Sequence, residues 1–501
     1  MLFALEEAFL FMKHKKILCA LSIFAIAPLV QLGGAAAFTA PTTPTSASIA
    51  QSPPTGSAVG AAAALVASPV VTNTLLYLPL VTRAPVKTIF GIGMNNLDAA
   101  HNLPQSLDVG ISWTRTPGLN WSKVEPSEGA RNWNDPDVVT LENDLKTAAQ
   151  NNIDVVLIVQ TTPIWAQKYA GSFCGPIKQD KLDAFANFVH DAVARYSAPP
   201  YNVKYWEIWN EPDKEHAVST ETFGCWGEPS DAYFGGGYYG EMLKTVYPKA
   251  KAANPQAQIL VGGLLLDCSP INCPADKITG DRNARFFFEG IMRTVNGAFD
   301  GVSFHGYDYF DQLNQYAVAK WGAAWNTTGP VGIVKARSLK ATMSAYGQTG
   351  KFLINTETAL VIDSCTKATP DREATKANYI PQSYTSALAE GLRANIWYDA
   401  NGWLCSGPFN PAYPNAAKAF KFARQQLTEA VFVRQVTSYP GLKAFEFTRS
   451  GKTVWVAWAL DGASHSVTLP STPTAVFSAV GTSIAPATTL TIDVNVVYLE
   501  F

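Results

Sequence analysis

Charge is scarce in this chain of 501 residues. Asp, Glu, Lys and Arg make up 16% of it, against roughly 25% in an average soluble domain, and the formal net charge at pH 7 is -2. Nucleic acid is held by basic surfaces that neutralise phosphates. No such excess exists here, so nucleic acid is excluded as a partner and a neutral one is favoured. Cysteine is also sparse, with no Cys-x-x-Cys pair and no Cys/His cluster of zinc-like spacing. Neither a metal nor an organic cofactor is expected. The Gly-x-Ser-x-Gly turn that carries the nucleophile of many serine hydrolases is absent too. What the chain does have is apolar and aromatic mass, 47% hydrophobic and 12% aromatic, enough for a large core.

The first segment carries Lys13, His14, Lys15 and Lys16, then an apolar run from Ile17 to Val30, then Ala35-Ala36-Ala37. Basic, apolar and small-residue regions in that order have the layout of a secretory signal, so residues 1–37 are expected to be a signal peptide cleaved after Ala37. An uncleaved anchor is the alternative, but the apolar run is short for a membrane span. The mature chain is therefore expected outside the cytoplasm, secreted or at the cell envelope, with no membrane association after cleavage. Residues 38–85, rich in Ala, Thr, Ser and Pro, read as a flexible linker.

From residue 86 to 432, short β-rich runs alternate with helical patterns, which argues for parallel strands joined by helices. The runs are 88–93, 109–115, 154–160, 203–210, 258–263, 301–307, 352–357 and 394–398. Between them, Leu182, Phe185, Phe188, Val189 and Ala192 recur at helical spacing. Eight strands with intervening helices predict a closed (β/α)8 TIM barrel, which takes about 250 residues or more. After a last helix over 415–430 the pattern changes to strand-like runs without helices, so residues 433–501 are expected to form a small antiparallel β-sandwich domain.

Catalytic groups of such barrels sit where strands end. The fourth run closes on Trp209-Asn210-Glu211-Pro212, and the seventh ends in Glu357. Strands four and seven lie nearly opposite in a ring of eight, so the two carboxylates can flank one substrate. One proton donor and one nucleophile or stabiliser are what cleavage of a glycosidic bond needs. Glu207 shares strand parity with Glu211 but lies about 13 Å deeper, where a buried ion pair is its expected role.

Three features together resemble the retaining β-glycosidases of glycoside hydrolase clan A, particularly families 39 and 5. They are strand four ending in Asn-Glu-Pro, strand six reading Ser303-Phe304-His305-Gly306-Tyr307, and strand seven ending in Glu. The strand-two region, Arg115 followed by Trp121, Glu125-Pro126, Gly129 and Trp133, is similar to those families as well. The resemblance covers the barrel and reaches neither the linker nor the β domain. It implies that Glu211 is the acid/base and Glu357 the nucleophile of a double-displacement hydrolysis of a β-linked oligosaccharide or polysaccharide.

The physical reasons run in parallel. Arg115 beside Glu357 favours an ionised nucleophile, and partial burial near Trp209 favours a protonated Glu211. Asn210 can donate to the sugar hydroxyl next to the anomeric centre. Tyr307 is placed to orient Glu357, and His305 shares its strand parity. Trp397, on strand eight, is the expected stacking platform for the sugar, with Trp165, Trp226, Trp321 and Trp325 as extensions. A non-catalytic carbohydrate-binding or cell-surface protein is the alternative reading of the same barrel.

With Cys19 removed in the signal, six cysteines remain, all expected in loops after strands. An even number in an exported chain predicts disulfides. Neighbouring loops favour the pairs Cys174 with Cys225, Cys268 with Cys273, and Cys365 with Cys405.

Overall fold

Eight short runs of branched and aromatic residues become eight parallel strands. They are β1 (Phe90–Ile92), β2 (Trp113–Arg115), β3 (Asp154–Gln160), β4 (Tyr205–Asn210), β5 (Gln258–Leu264), β6 (Gly301–Tyr309), β7 (Phe352–Val361) and β8 (Ala394–Trp397). The computed structural model describes residues 87–217, 224–271, 284–310, 320–321, 325–361 and 369–501. The expected signal peptide, the linker, Cys273 and Cys365 lie outside these residues. Neighbours run β2-β1-β8-β7-β6-β5-β4-β3, and a β2–β3 pairing closes the ring.

A helix follows each strand: α1 (Leu103–Asp108), α2 (Pro136–Gln150), α3 (Leu182–Tyr196), α4 (Gly236–Ala253), α5 (Phe287–Thr294), α6 (Val331–Ala345), α7 (Pro370–Ala389) and α8 (Asn415–Leu427). Local chemistry sets their starts. The Asp135 side chain accepts from the Asp137 amide ahead of Pro136, and Thr369 accepts from the Arg372 amide ahead of Pro370, a capping acceptor followed by the residue that needs no donor. On α3 the predicted apolar stripe is the buried one. Among the described residues no helix is long and apolar enough to cross a membrane.

Alternation along the strands divides the core in two. Trp113, Val156, Tyr205, Leu260, Ile354, Ala394 and Ile396 fill the barrel interior, while residues of opposite parity such as Trp206, Ile208, Phe304 and Trp397 join the layer under the helices. Gly91 makes room for this filling, since a Cβ there would lie 2.8 Å from that of Trp113. The interior is therefore packed at its base and polar above, where Arg115, Glu207, His305 and Glu357 are stacked toward the carboxyl-terminal rim.

After α8 come β9 (Val431–Gln435), β10 (Leu442–Arg449), β11 (Lys452–Ala459), β12 (His465–Thr468), β13 (Ala475–Ser478), β14 (Ser483–Ile484), β15 (Thr489–Ile492) and β16 (Val497–Glu500). They form a sheet in the order β9-β10-β11-β16-β13-β14 and a two-stranded sheet β12-β15. The sandwich expectation holds, with β9 and β14 as added strands. Along β10 and β11 both faces of the larger sheet carry buried residues. Leu442, Ala444, Trp455 and Ala457 join the inner sandwich core, whereas Phe445, Phe447, Val456 and Trp458 join the barrel's own cluster. Residues Thr82–Phe501 accordingly make one compact unit.

Candidate active site

Strict alternation would send one of two consecutive residues away from the barrel mouth, yet Asn210 and Glu211 both reach it. The chain achieves this with two left-handed residues, Trp209 at φ 76° and Glu211 at φ 45°. Trp209 turns out of the barrel and packs edge-on against Trp226 and Phe185. Asn210 then points inward, and the Glu211 amide donates to the Gly263 carbonyl at 2.8 Å. Such backbone costs of order 1–3 kcal/mol per residue, so the surroundings must hold it. A disulfide between Cys174 and Cys225 does part of this. The Trp209 indole donates to the Cys174 carbonyl at 2.8 Å, and the Gly224 amide, next to Cys225, donates to the Asn210 carbonyl at 2.6 Å.

Glu357 reaches the mouth by a second irregularity. Phe304 pairs with Asn355 but His305 with Glu357, so Thr356 is an extra residue in β7. One extra residue reverses the faces of all that follow it. Without it Glu357 would point to the helices.

The two carboxylates are thus brought together. One oxygen of Glu211, one of Glu357 and a ring nitrogen of His305 all lie within 4.8 Å of one another. His305 Nδ1 is 3.1 Å from Glu211 Oε1 and 3.5 Å from Glu357 Oε2. Lys214 Nζ is 3.9 Å from Glu211 Oε2. Tyr307 donates its hydroxyl to Glu357 Oε2, and Arg115 donates to Glu357 Oε1 at 2.5 Å, to Asn210 Oδ1 at 2.7 Å and to Glu207 Oε1 at 2.6 Å. Since Asn210 accepts from Arg115 through its oxygen, its amide nitrogen is the end left to donate.

Glu207 is fully buried and bonded to Arg115 and to the Gly263 amide, the structural ion pair expected of it. Burial alone would lower the Arg115 pKa, but Glu207 and Glu357 push it above its ordinary value. Burial, reinforced by Glu357, raises the Tyr307 phenol well above its usual range, so it stays a donor. A cation could be gripped by the two carboxylates and His305, the one such cluster among the described residues. Arg115 and Lys214 already occupy the cation side of the carboxylates.

Two aromatic expectations are corrected. Trp397 is completely buried, its indole donating to the Ser406 carbonyl at 2.9 Å and its ring packed against Tyr379. The reason is parity: Ala394 and Ile396 face the interior, so Trp397 faces the helices and offers a sugar no surface. Trp209, for its part, turns away from Glu211, so His305 and Lys214 flank that carboxylate instead. Trp226 and Trp321 are also buried, while Trp165 and Trp325 are half-buried.

The aromatic surface at the mouth is one the sequence reading missed. Trp403, half-buried in the loop after β8, lies against Tyr307 at 5.4 Å and Tyr398 at 5.6 Å. Asp399 holds that loop by accepting from the Gly402 and Trp403 amides at 2.7 and 2.9 Å. The signal available in the sequence was Asp399-x-x-Gly402-Trp403, a turn after a strand with an aromatic at its tip.

Of the expected disulfides, Cys174–Cys225 is present. Cys268 and Cys405 are also disulfide-bonded, and their expected partners lie outside the described residues.

No protein-family model matches the chain, and no curated protein matches it by sequence. Solved structures do match. A family 39 glycoside hydrolase from the gut symbiont Bacteroides cellulosilyticus WH2 superposes with a TM-score of 0.58 at 16% identity, over 83% of this chain and 81% of that one. In fold, the chain resembles the clan A glycoside hydrolases. A conserved exported protein from Bacteroides fragilis gives 0.56 at 13% identity over 83% and 98%. The family 30 subfamily 8 xylanase Xyn30A from Clostridium acetobutylicum gives 0.52 at 13% over 83% and 96%. Identities this low carry the architecture alone. The chemistry has to be argued from the site.

Proposed function

We propose that this protein is an exported retaining glycosidase that hydrolyses O-glycosidic bonds of a β-linked glycan without a metal or organic cofactor. The observation that carries this reading is that one carboxylate oxygen of Glu211 and one of Glu357 lie within 4.8 Å of each other, with His305 between them and no gap set aside for a water. Retaining enzymes set their carboxyl groups about 5–5.5 Å apart, whereas inverting ones leave roughly 6.5–9.5 Å for an intervening water.

In the first step a Glu357 oxygen forms a bond to the anomeric carbon as the glycosidic C–O bond breaks. Glu211 gives its proton to the departing oxygen. In the second, water attacks the same carbon, Glu211 takes the water's proton, and the ester to Glu357 is released. Arg115 and Tyr307 hold the two oxygens of Glu357 in the plane from which it attacks. The Asn210 amide is positioned for the neighbouring sugar hydroxyl, and Trp403 supplies an apolar ring face for stacking. The glycoside hydrolase function of structural relatives and the basic, apolar and small-residue order of residues 1–37 support the reading further.

Azide substitution tests the division of labour. With an activated aryl β-glycoside, Glu357→Ala is expected to give the α-glycosyl azide and Glu211→Ala the β-glycosyl azide. The same anomer from both variants would contradict these roles, and oligosaccharide binding without cleavage by the unaltered chain would favour the binding-protein alternative. Export is read in the same preparation, since protein recovered from medium or envelope should begin at Phe38.

A further inference from the structure

The geometry points to a closed ring of hydrogen bonds behind the acid/base, in which Lys335 and Asp213 are positioning residues for Glu211. This inference rests on the glycosidase reading and adds residues that neither touch the sugar nor belong to the strand-end motifs.

The ring can be followed atom by atom. Two residues beyond Glu211, the buried Asp213 carboxylate accepts from the Leu265 amide at 2.9 Å and the Leu266 amide at 2.8 Å, just past the end of β5. The Leu265 carbonyl accepts from Lys335 Nζ at 2.7 Å. Lys335, on α6, donates again to the His305 carbonyl on β6 at 2.8 Å. His305 Nδ1 returns to Glu211 Oε1 at 3.1 Å. Glu211 is therefore fixed twice, through its main chain by Asp213 and through its side chain by His305, and Lys335 ties the two anchors together. The helix is itself pinned to the strand that carries His305, because the Val331 amide donates to Asp308 Oδ2 at 3.3 Å.

Lys335 is an unusual group to place between a helix and a strand. Its ammonium is buried, and among the described residues its hydrogen bonds go to two main-chain carbonyls rather than to a carboxylate. Burial lowers its pKa to about 8. The nearby carboxylates of Asp267, Asp213, Asp308 and Glu211 offset part of that burial by their charge, while the contacts at hydrogen-bond distance are those to the two carbonyls, which an apolar residue of similar volume would leave without a donor. What the ammonium achieves is geometric: it draws a β5-loop carbonyl and a β6 carbonyl to one point and so sets the distance between the two anchors of Glu211. General acids act over hydrogen-bond distances, and a displacement of about 1 Å can lower a rate by roughly 100-fold.

Protonation matters only for leaving groups that need it, which separates positioning from mere folding. The full-length Lys335→Met and Asp213→Asn variants would be assayed on a series of aryl and alkyl β-glycosides of the sugar that the unaltered protein cleaves. We expect kcat/KM to fall about 10- to 100-fold for phenyl and alkyl glycosides, whose oxygens require a proton, but less than about 3-fold for the 2,4-dinitrophenyl glycoside, whose leaving group departs as an anion. A uniform fall across the series would mean that the ring only holds the fold together, and no fall would mean that it does not act on Glu211. Either result overturns the inference. Should Lys335→Met fail to fold, Asp213→Asn, which keeps one acceptor oxygen, carries the same comparison. An unaltered chain that cleaves no β-glycoside in a panel of different sugars, so that no such series can be chosen, overturns the glycosidase reading and this inference with it, whereas normal turnover with leaving-group-independent variants overturns the inference alone.

Discussion

Arg115 connects three groups that would otherwise be incompatible with one another: the buried carboxylate of Glu207, the carboxylate of Glu357 and the Asn210 amide oxygen. Removing one partner of a buried ion pair costs about 3–5 kcal/mol because the other charge is left without compensation. Arg115→Met should therefore lower both stability and activity, and the two losses separate in a double variant. With Glu207→Gln added, the fully buried charge is removed and only Glu357, nearer the mouth, is left without its guanidinium, so a large part of the lost stability is expected to return in a denaturant titration. Activity is not, because Glu357 and Asn210 still lack their donor. Recovery of both together would show that Arg115 serves only the fold. The two carboxylates at the barrel mouth and their polar companions were legible in the sequence because each closes or lines a strand with a recognisable end. Trp397 and Trp403 were not separated, since a tryptophan on a strand and one on a loop look alike until the facing of Ala394 and Ile396 is known.

At the scale of elements, the eight strands were legible from their branched and aromatic runs, with ends that moved by a few residues. Less legible was the point that each glutamate at the mouth depends on a fault in its strand, the left-handed pair at Trp209 and Glu211 and the extra residue at Thr356. Neither fault has a compositional signature, for no glycine marks it. β9 escaped notice for a related reason: Val431, Phe432 and Val433 continue the chain straight from a helix and lie exposed at a sheet edge, so no alternation announces a strand. The loop after β4 also shows why the disulfide sits where it does. Cys174 and Cys225 are 51 residues apart in sequence, and closing a loop of that size stabilises by about 2–4 kcal/mol. The same bridge holds the Trp209 indole and the Asn210 carbonyl through adjacent main chain. The Cys174→Ala/Cys225→Ala variant should therefore melt several degrees lower and also show reduced kcat at temperatures where it is fully folded. A variant that melts lower but keeps its full kcat would limit the bridge to stability.

For the whole molecule, the decisive feature is that the C-terminal sheet carries buried residues on both faces along its central strands. Along β10 and β11, one set of alternating residues closes the sandwich and the other, including Phe445, Phe447 and Trp458, joins the barrel cluster. On the barrel side Phe422 of α8 packs against Phe477 at 5.5 Å and Tyr498 at 5.3 Å. Arg449 donates to the Gln425 and Gln426 carbonyls at the end of α8, and Asn378 of α7 accepts from the Val496 amide. Each large side chain in such a contact contributes about 1.5–3 kcal/mol by leaving water, so several together approach the 5–15 kcal/mol that separates folded from unfolded for a typical protein. A barrel ending at Ala430 would expose Phe422 and the apolar side of α8 at once. It is expected to be recovered in aggregated form or to melt far below the longer protein, whereas residues 82–501 should unfold in a single calorimetric transition because barrel and sheet share one cluster. Two separate transitions, or a barrel fragment that keeps the melting temperature and the turnover of the longer protein, would show that the sheet is an independent module attached to a self-sufficient enzyme.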